Sequence, residues 1–163
     1  MDHLKTPVFE ALKRLGIAYD SYDHPAVFTS EDAEQHWKGI GGTPVKNLFL
    51  RNKKGDREYL VILGIEKRAD LKQLVKIIGD DRFSFGSPER LMQTLGLTPG
   101  SVSPFGLIND HAHAVRVVLD RDLKSAARVS FHPNINTRTL VLSRADFDKF
   151  LAACGNPVRD VLI

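Results

Sequence analysis

The chain has 163 residues, of which 42% are hydrophobic and 26% charged, a composition that suits one domain with one core. No apolar run approaches the roughly 20 residues that span a bilayer, and the charged N-terminus lacks a signal-peptide pattern, so a cytoplasmic location is expected. A net charge of +3 permits a polyanionic partner without requiring one. The lone cysteine, Cys154, excludes an internal disulfide and is interpreted as a small packing residue.

The first half of the chain alternates predicted helices with predicted strands. Proline suits the first turn of a helix, and Thr6-Pro7 therefore predicts a helix that Gly16 ends. Thr29 or Ser30 is expected to cap a short second helix. The predicted elements of this half are a helix at 7–15, a strand at 17–22, a helix at 31–37 and a hairpin of strands at 48–51 and 58–63.

The second half continues the alternation. Asp70 and Ser143 are expected to be N-caps, and Met92 is expected to face the interior with its neighbour Leu91. The predicted elements are helices at 71–78 and 88–95, a loop at 98–106, strands at 115–119, 128–131 and 139–142, and a helix after Ser143. Because hairpins and helices mix without a strict βαβ rhythm, we predict an α+β fold over residues 1–163, with a mixed, largely antiparallel sheet wrapped by helices.

The usual catalytic signatures are missing from the sequence. No nucleophile elbow, phosphate-binding glycine loop or dinucleotide fingerprint is present. His111 and His113 have the spacing of a zinc pair on a strand, but no nearby cysteine or glutamate completes a set of ligands. We therefore interpret them as surface histidines in a turn and predict no metal site.

Three short segments remain unusual, and each allows two interpretations. Lys46 lies where an apolar strand begins. It is either a solvated charge at the edge of the sheet or an ammonium that binds an anion. The glycine- and proline-rich segment 99–106 is either a connector or a shaped loop whose amides bind a carbonyl oxygen, with dispensable hydroxyls at Ser101 and Ser103. His132 follows a strand, as a turn residue or as a pocket-lining group.

Together these segments resemble one family. The strand Lys46–Leu50, the Gly100-x-x-x-Pro104 loop and the later His132-Pro133-x-x-Asn136 turn occur in the order and spacing of the YbaK/prolyl-tRNA synthetase-associated editing superfamily. The resemblance is greatest to its free-standing alanyl-tRNA(Pro) deacylase branch (ProXp-ala/PrdX-like). The early His24-Pro25-x-x-Phe28-Thr29 segment also fits, and the resemblance covers nearly the whole chain.

The resemblance implies an enzyme that hydrolyses alanyl-tRNA(Pro) in trans, without a metal or organic cofactor. It implies that Lys46 is essential and engages the 3′ end of the transfer RNA. The residues that it implies for substrate binding are Asn47, Gly100, Ser101, Val102, Ser103, Pro104 and His132. The expected partner is the acceptor end of tRNA(Pro) carrying a small amino acid, and a transient association with prolyl-tRNA synthetase is allowed. Two alternatives stay open: a deacylase for cysteine or serine, and a non-catalytic tRNA-binding module of the same fold.

Overall fold

The computed structural model describes residues 2–25 and 41–163. Within them the α-helices are α1 (Asp2–Leu15), α2 (Leu71–Ile78), α3 (Pro88–Leu95) and α4 (Arg144–Cys154). The strands are β1 (Asp20–Asp23), β2 (Thr43–Asn52), β3 (Glu58–Gly64), β4 (Phe83–Phe85), β5 (Arg116–Asp120), β6 (Arg128–Phe131), β7 (Arg138–Ser143) and β8 (Val158–Val161). Two 3-10 helices cover Pro104–Asn109 and Arg121–Ser125. The predicted helix at 31–37 and its caps lie outside the described residues.

The strands form one mixed sheet in the order β1-β7-β6-β2-β3-β5-β8, with β4 paired to β2. The antiparallel pairs are β1–β7, β2–β3, β2–β4 and β6–β7, and the parallel pairs are β2–β6, β3–β5 and β5–β8. The predicted α+β fold is thereby confirmed. No helix among the described residues is both long and apolar enough to cross a bilayer.

Local sequence explains where the helices begin and end. The Asp70 carboxylate accepts hydrogen bonds from the N–H groups of Lys72 and Gln73, and Ser143 caps α4 in the same manner, as predicted. The prediction for Met92 is wrong, because this side chain is 47% exposed. The buried side chains of α3 are Leu91 and Leu95, which are four residues apart and therefore lie on one face of the helix. Met92 is the residue after Leu91, so its side chain points away from that face.

Three boundaries differ from the sequence expectations. Helix α1 begins at Asp2 rather than at the proline, β1 begins at Asp20 rather than at Ile17, and β2 begins at Thr43 rather than at Leu48. The short strands β4 and β8 were not predicted, since three or four residues with several exposed side chains carry no clear period.

Two hydrophobic cores cover the two faces of the central strands. The first contains the aromatic cluster Phe105, Phe131, Phe147 and Phe150, over which α1, α4 and the first 3-10 helix pack. The second lies under α2 and β4 and is built around Leu74. Because both faces of β3 are covered, six of its seven side chains are buried without alternation.

Strand β2 has an open stretch on one edge. Near its start, Thr43 and Pro44 pair with β6. Pairing with β4 begins only at Leu50. Between these points residues 45–48 have no strand partner on this edge within the described part of the chain, so β2 and β6 separate. We call this opening the fork, and it positions the candidate site.

Candidate active site

Lys46 and Asn47 lie in the fork on β2. The parallel register pairs Thr43 with Val129 and Pro44 with Ser130, and extending it by two residues brings Lys46 level with His132, just beyond the end of β6. Side chains at matched positions of parallel strands share a face of the sheet. The register therefore places the predicted lysine, near the start of β2, level with the predicted histidine, just beyond the end of β6.

The loop from Gly100 to Pro104 enters the fork and contacts both strands. On the β2 side, the Asn47 side-chain amide donates a hydrogen bond to the Val102 carbonyl over 3.4 Å. Beyond β6, the Ser103 hydroxyl donates to the His132 carbonyl over 2.6 Å. The same hydroxyl oxygen accepts from the Phe105 N–H at 3.1 Å. The loop is thus held at the site by two strands that are distant in sequence.

The backbone of this loop is specialised. Gly100 has a φ of +89°, in the region that favours glycine, and the Ser101 N–H closes the turn onto the Thr98 carbonyl at 3.1 Å. Pro104 then begins a 3-10 helix. Within residues 2–25 and 41–163 we find no acceptor for the N–H groups of Gly100, Val102 and Ser103. These donors are the part of the loop that is able to bind an oxygen.

His132 is held in a defined tautomer. Its Nδ1 lies 3.0 Å from the Arg138 carbonyl, and because a carbonyl only accepts, Nδ1 carries the proton and Nε2 is an acceptor when the ring is neutral. Burial lowers the pKa of His132; the hydrogen bond to Arg138 opposes this effect, and the nearby His24 adds to it. The ring is therefore neutral at neutral pH.

A second histidine lies beside the first. The ring centroids of His24 and His132 are 5.7 Å apart. The Nδ1 of His24 lies 2.8 Å from the Pro25 carbonyl and so donates to it. Its Nε2 lies 2.7 Å from the Thr139 hydroxyl, which then donates to this ring nitrogen. The early His24-Pro25 motif is therefore linked in space to the His132 turn.

The surroundings of the Lys46 side chain differ from those of the adjacent Asn47 side chain. Lys46 pairs with Leu63 of β3 and, by strand alternation, projects from the opposite face of β2 to Asn47. Its side chain is half-buried and forms no ion pair with any carboxylate in the described part of the protein. An unpaired ammonium at the fork is available to an anion, and its catalytic role stays a prediction.

Sequence reasoning missed several contacts of the site. The Ser103 hydroxyl, expected to be dispensable, carries two hydrogen bonds and its residue is fully buried. The Asn47 Oδ1 atom is buried without a hydrogen-bond partner among the described residues. Thr139, fully buried beside His24, carried no signal in the sequence, because only the pairing of β1 with β7 brings it there.

The sequence analysis assigned no role in binding or catalysis to His111, His113 or Cys154. His111 and His113 are exposed in a turn, and no three potential metal ligands cluster among the residues that the structure describes. Burial, with a smaller effect of the Asp110 carboxylate, raises the pKa of the Cys154 thiol to about 11. The thiol therefore stays protonated, in agreement with a packing role.

Comparison with known proteins identifies the family. The model of the aminoacyl-tRNA editing domain matches residues 24–150. The chain belongs to the aminoacyl-tRNA editing domain family. Membership confirms the resemblance and makes the protein an aminoacyl-tRNA deacylase, an enzyme rather than a passive binding module.

Individual relatives support this placement. The chain is 41% identical to the prolyl-tRNA editing protein ProX of Acetoanaerobium sticklandii over 157 residues, covering 96% of each chain. It is 33% identical to the prolyl-tRNA synthetase associated domain-containing protein 1 of Danio rerio, over 91% of this chain and 81% of that protein. A crystal structure of a candidate trans-editing enzyme for prolyl-tRNA synthetase shares the fold, with a TM-score of 0.72, 22% identity and coverage of 98% and 97%.

The lowered pKa of His132 predicts a loss of stability in acid. Between this lowered pKa and the ordinary value of 6.5, the unfolded chain binds a proton at this site that the folded protein does not. The free energy of unfolding should therefore fall as the pH drops below about 6.5. In the variant His132→Gln, the glutamine keeps a hydrogen-bond donor but cannot titrate. Measured by urea unfolding between pH 7.5 and pH 5, its free energy of unfolding should therefore depend less on pH than that of the unmodified protein. An identical dependence in both proteins would contradict the burial of a neutral ring.

Proposed function

We propose that this deacylase acts in trans on alanyl-tRNA(Pro) and hydrolyses the ester between alanine and the terminal ribose. The observation that carries the proposal is the loop held in the fork by Asn47 and by the His132 carbonyl, with three N–H groups that have no acceptor among the described residues. The naming of the 41% identical relative as a prolyl-tRNA editing protein supports the choice of transfer RNA. A cytoplasmic place of action and a transient contact with prolyl-tRNA synthetase belong to the same proposal.

The chemistry needs a positioned ester more than a strong nucleophile. An aminoacyl ester is already reactive, and the neighbouring ribose hydroxyl can orient the attacking water. As water adds to the carbonyl carbon, negative charge develops on the carbonyl oxygen. The N–H groups of Gly100, Val102 and Ser103 are fixed donors for that oxygen, and such donors stabilise the transition state without reorganising.

The remaining residues bind and orient the substrate. The ammonium of Lys46 meets phosphate oxygens of the 3′-terminal nucleotides and holds the ester against the loop. The Asn47 side-chain amide holds the Val102 carbonyl and so fixes the loop at the fork. Neutral His132, whose Nδ1 donates to the Arg138 carbonyl, lines the site, and we assign it an orienting role rather than that of a strong base.

Selection for alanine follows from size. Alanine is smaller than proline, and a pocket that accepts proline cannot exclude it, since apolar contacts discriminate by only about 1–3 kcal/mol per methylene. A second site that admits alanine and rejects the proline ring by bulk removes the error. Cysteine and serine are close to alanine in size, and they remain the alternative substrates.

Loss of the Lys46 ammonium should abolish turnover. We expect Lys46→Ala to lower kcat/KM on alanyl-tRNA(Pro) by about a hundredfold or more, comparable to the loss of one strong transition-state interaction. The melting temperature should stay close to that of the unmodified protein, since this half-buried ammonium has no ion pair within the described residues. Lys13→Ala, which removes an exposed lysine from α1, is the matched control and should leave turnover unchanged. Near-normal turnover of Lys46→Ala would remove the residue from the mechanism.

The loop should act through its backbone. Gly100→Val places a β-branched side chain at a φ of +89° and should reduce the deacylation rate about a hundredfold or more, because the loop amides would move. Ser101→Ala should be nearly neutral. Ser103→Ala removes the bond to the His132 carbonyl, and we expect an intermediate loss of activity with about 0.5–1.5 kcal/mol lower stability.

Rates and melting temperatures of these three variants test the backbone mechanism together. A folded but inactive Ser101→Ala protein, combined with an active Gly100→Val protein, would instead show that a hydroxyl does the chemistry.

A further inference from the structure

A cluster of cations lies at the far end of β2 from the fork. Arg51 on β2, Lys53 in the hairpin and Arg82 before β4 line one depression of about 250 Å³ together with Ser84. Strand geometry places Arg51 roughly 17 Å along β2 from Lys46, at 3.3 Å per residue. The cluster is therefore outside the site where the ester would be cleaved and on the strand that leads to it.

The positive charges of this cluster are not matched one for one by carboxylates. None of the three cations forms an ion pair with a carboxylate in the described parts of the chain. The guanidinium of Arg51 donates instead to the carbonyls of Asn52 at 3.1 Å and Lys53 at 2.9 Å, which fixes its position.

The nearest carboxylates are already engaged. Asp81 accepts the Lys53 backbone N–H at 2.7 Å. Asp80 accepts the Tyr59 hydroxyl, and its carboxylate lies 3.6 Å from the Arg57 guanidinium. Asp81 therefore lies next to the cluster, but three cations outnumber this one carboxylate, and an excess of positive charge of this kind attracts anionic oxygens.

Neighbouring residues extend the positive surface and add a stacking surface. Arg82 also borders a groove whose other cations are the exposed Lys72 and Lys76 of α2. On β4, Phe85 is 60% exposed; it shares a face of the strand with Phe83, which lines this groove, and faces away from Ser84 and Arg51. Exposed aromatic rings beside cations bind bases as well as phosphates. This combination favours a nucleic acid over a small free anion.

We propose that this edge of the molecule, formed by Arg51, Lys53, Arg82 and Phe85, is a docking surface for the backbone of the substrate transfer RNA beyond its aminoacylated end. The inference rests on the proposed function. In this arrangement the 3′ end enters the fork, and the adjoining nucleotides follow β2 towards the hairpin. Affinity for the RNA body is thereby separated from chemistry on the ester.

The test compares two substrates and two charge-reversed proteins. One substrate is alanyl-tRNA(Pro), and the other is an alanyl ester of a short oligonucleotide that contains only the unpaired 3′-terminal nucleotides. The variant is Lys53→Glu with Arg82→Glu. The control is Lys13→Glu with Lys149→Glu, which reverses two exposed lysines on α1 and α4 and changes the net charge equally.

We expect the variant to lose about tenfold or more in kcat/KM on alanyl-tRNA(Pro) and less than twofold on the short ester, while the control loses little on either. For the variant, the slope of log Kd for tRNA(Pro) against log salt concentration should be smaller by about two, one for each lost phosphate contact. Phe85→Ala should weaken tRNA(Pro) binding about fivefold or more without changing the salt slope, because a stacked base carries no counterion to release.

Each outcome has one consequence. Equal behaviour of variant and control on alanyl-tRNA(Pro), with the unmodified protein active, overturns the docking surface and leaves the proposed function standing. An equal loss on both substrates also overturns it, because the cations would then act on the ester site. Failure of the unmodified protein to cleave either ester overturns the proposed function and the docking surface together.

Discussion

The hydrogen bond from the Ser103 hydroxyl to the His132 carbonyl, 2.6 Å long, joins the two halves of the candidate site. Without it the loop would be held in the fork only by the longer contact from Asn47 and by packing. The serine and the carbonyl belong to segments 29 positions apart in the sequence, so the bond forms only when the fold brings the loop to the end of β6. The pairing of β2 with β6 opens the fork that the loop enters. The geometry of the candidate site is therefore a consequence of sheet topology rather than of any local motif.

This geometry explains how an editing domain can work with ordinary side chains. In the proposed mechanism the substrate brings a reactive ester and its own ribose hydroxyl, and the protein contributes fixed donors and one ammonium. Preorganised amides of this kind need a rigid support. Here the support is the first core, in which Phe105 follows the loop directly and packs at 5.1 Å between ring centroids against Phe150 of α4. The packing of this core therefore also fixes the position of the loop.

Much of the fold follows from the sequence, and the reasons are local. Asp70 with Gly79, and Ser87 with Gly96, delimit their helices by side-chain caps and left-handed glycines that the printed sequence shows. The fork does not follow from the sequence, since it arises where β2 exchanges one partner for another. Site residues could be chosen from motif order, yet the neutral tautomer of His132 depends on its burial and on the Arg138 carbonyl, which are properties of tertiary structure.

The central proposal is that this site hydrolyses alanine from tRNA(Pro), and substrate choice tests it most directly. The measurement is single-turnover deacylation of alanyl-, cysteinyl-, seryl- and prolyl-tRNA(Pro) by one preparation, with Gly100→Val as the inactive control. The account predicts fastest release of alanine and no release of proline above the uncatalysed rate. Rapid hydrolysis of prolyl-tRNA(Pro), or of cysteinyl- or seryl-tRNA(Pro) in preference to the alanyl ester, would contradict it.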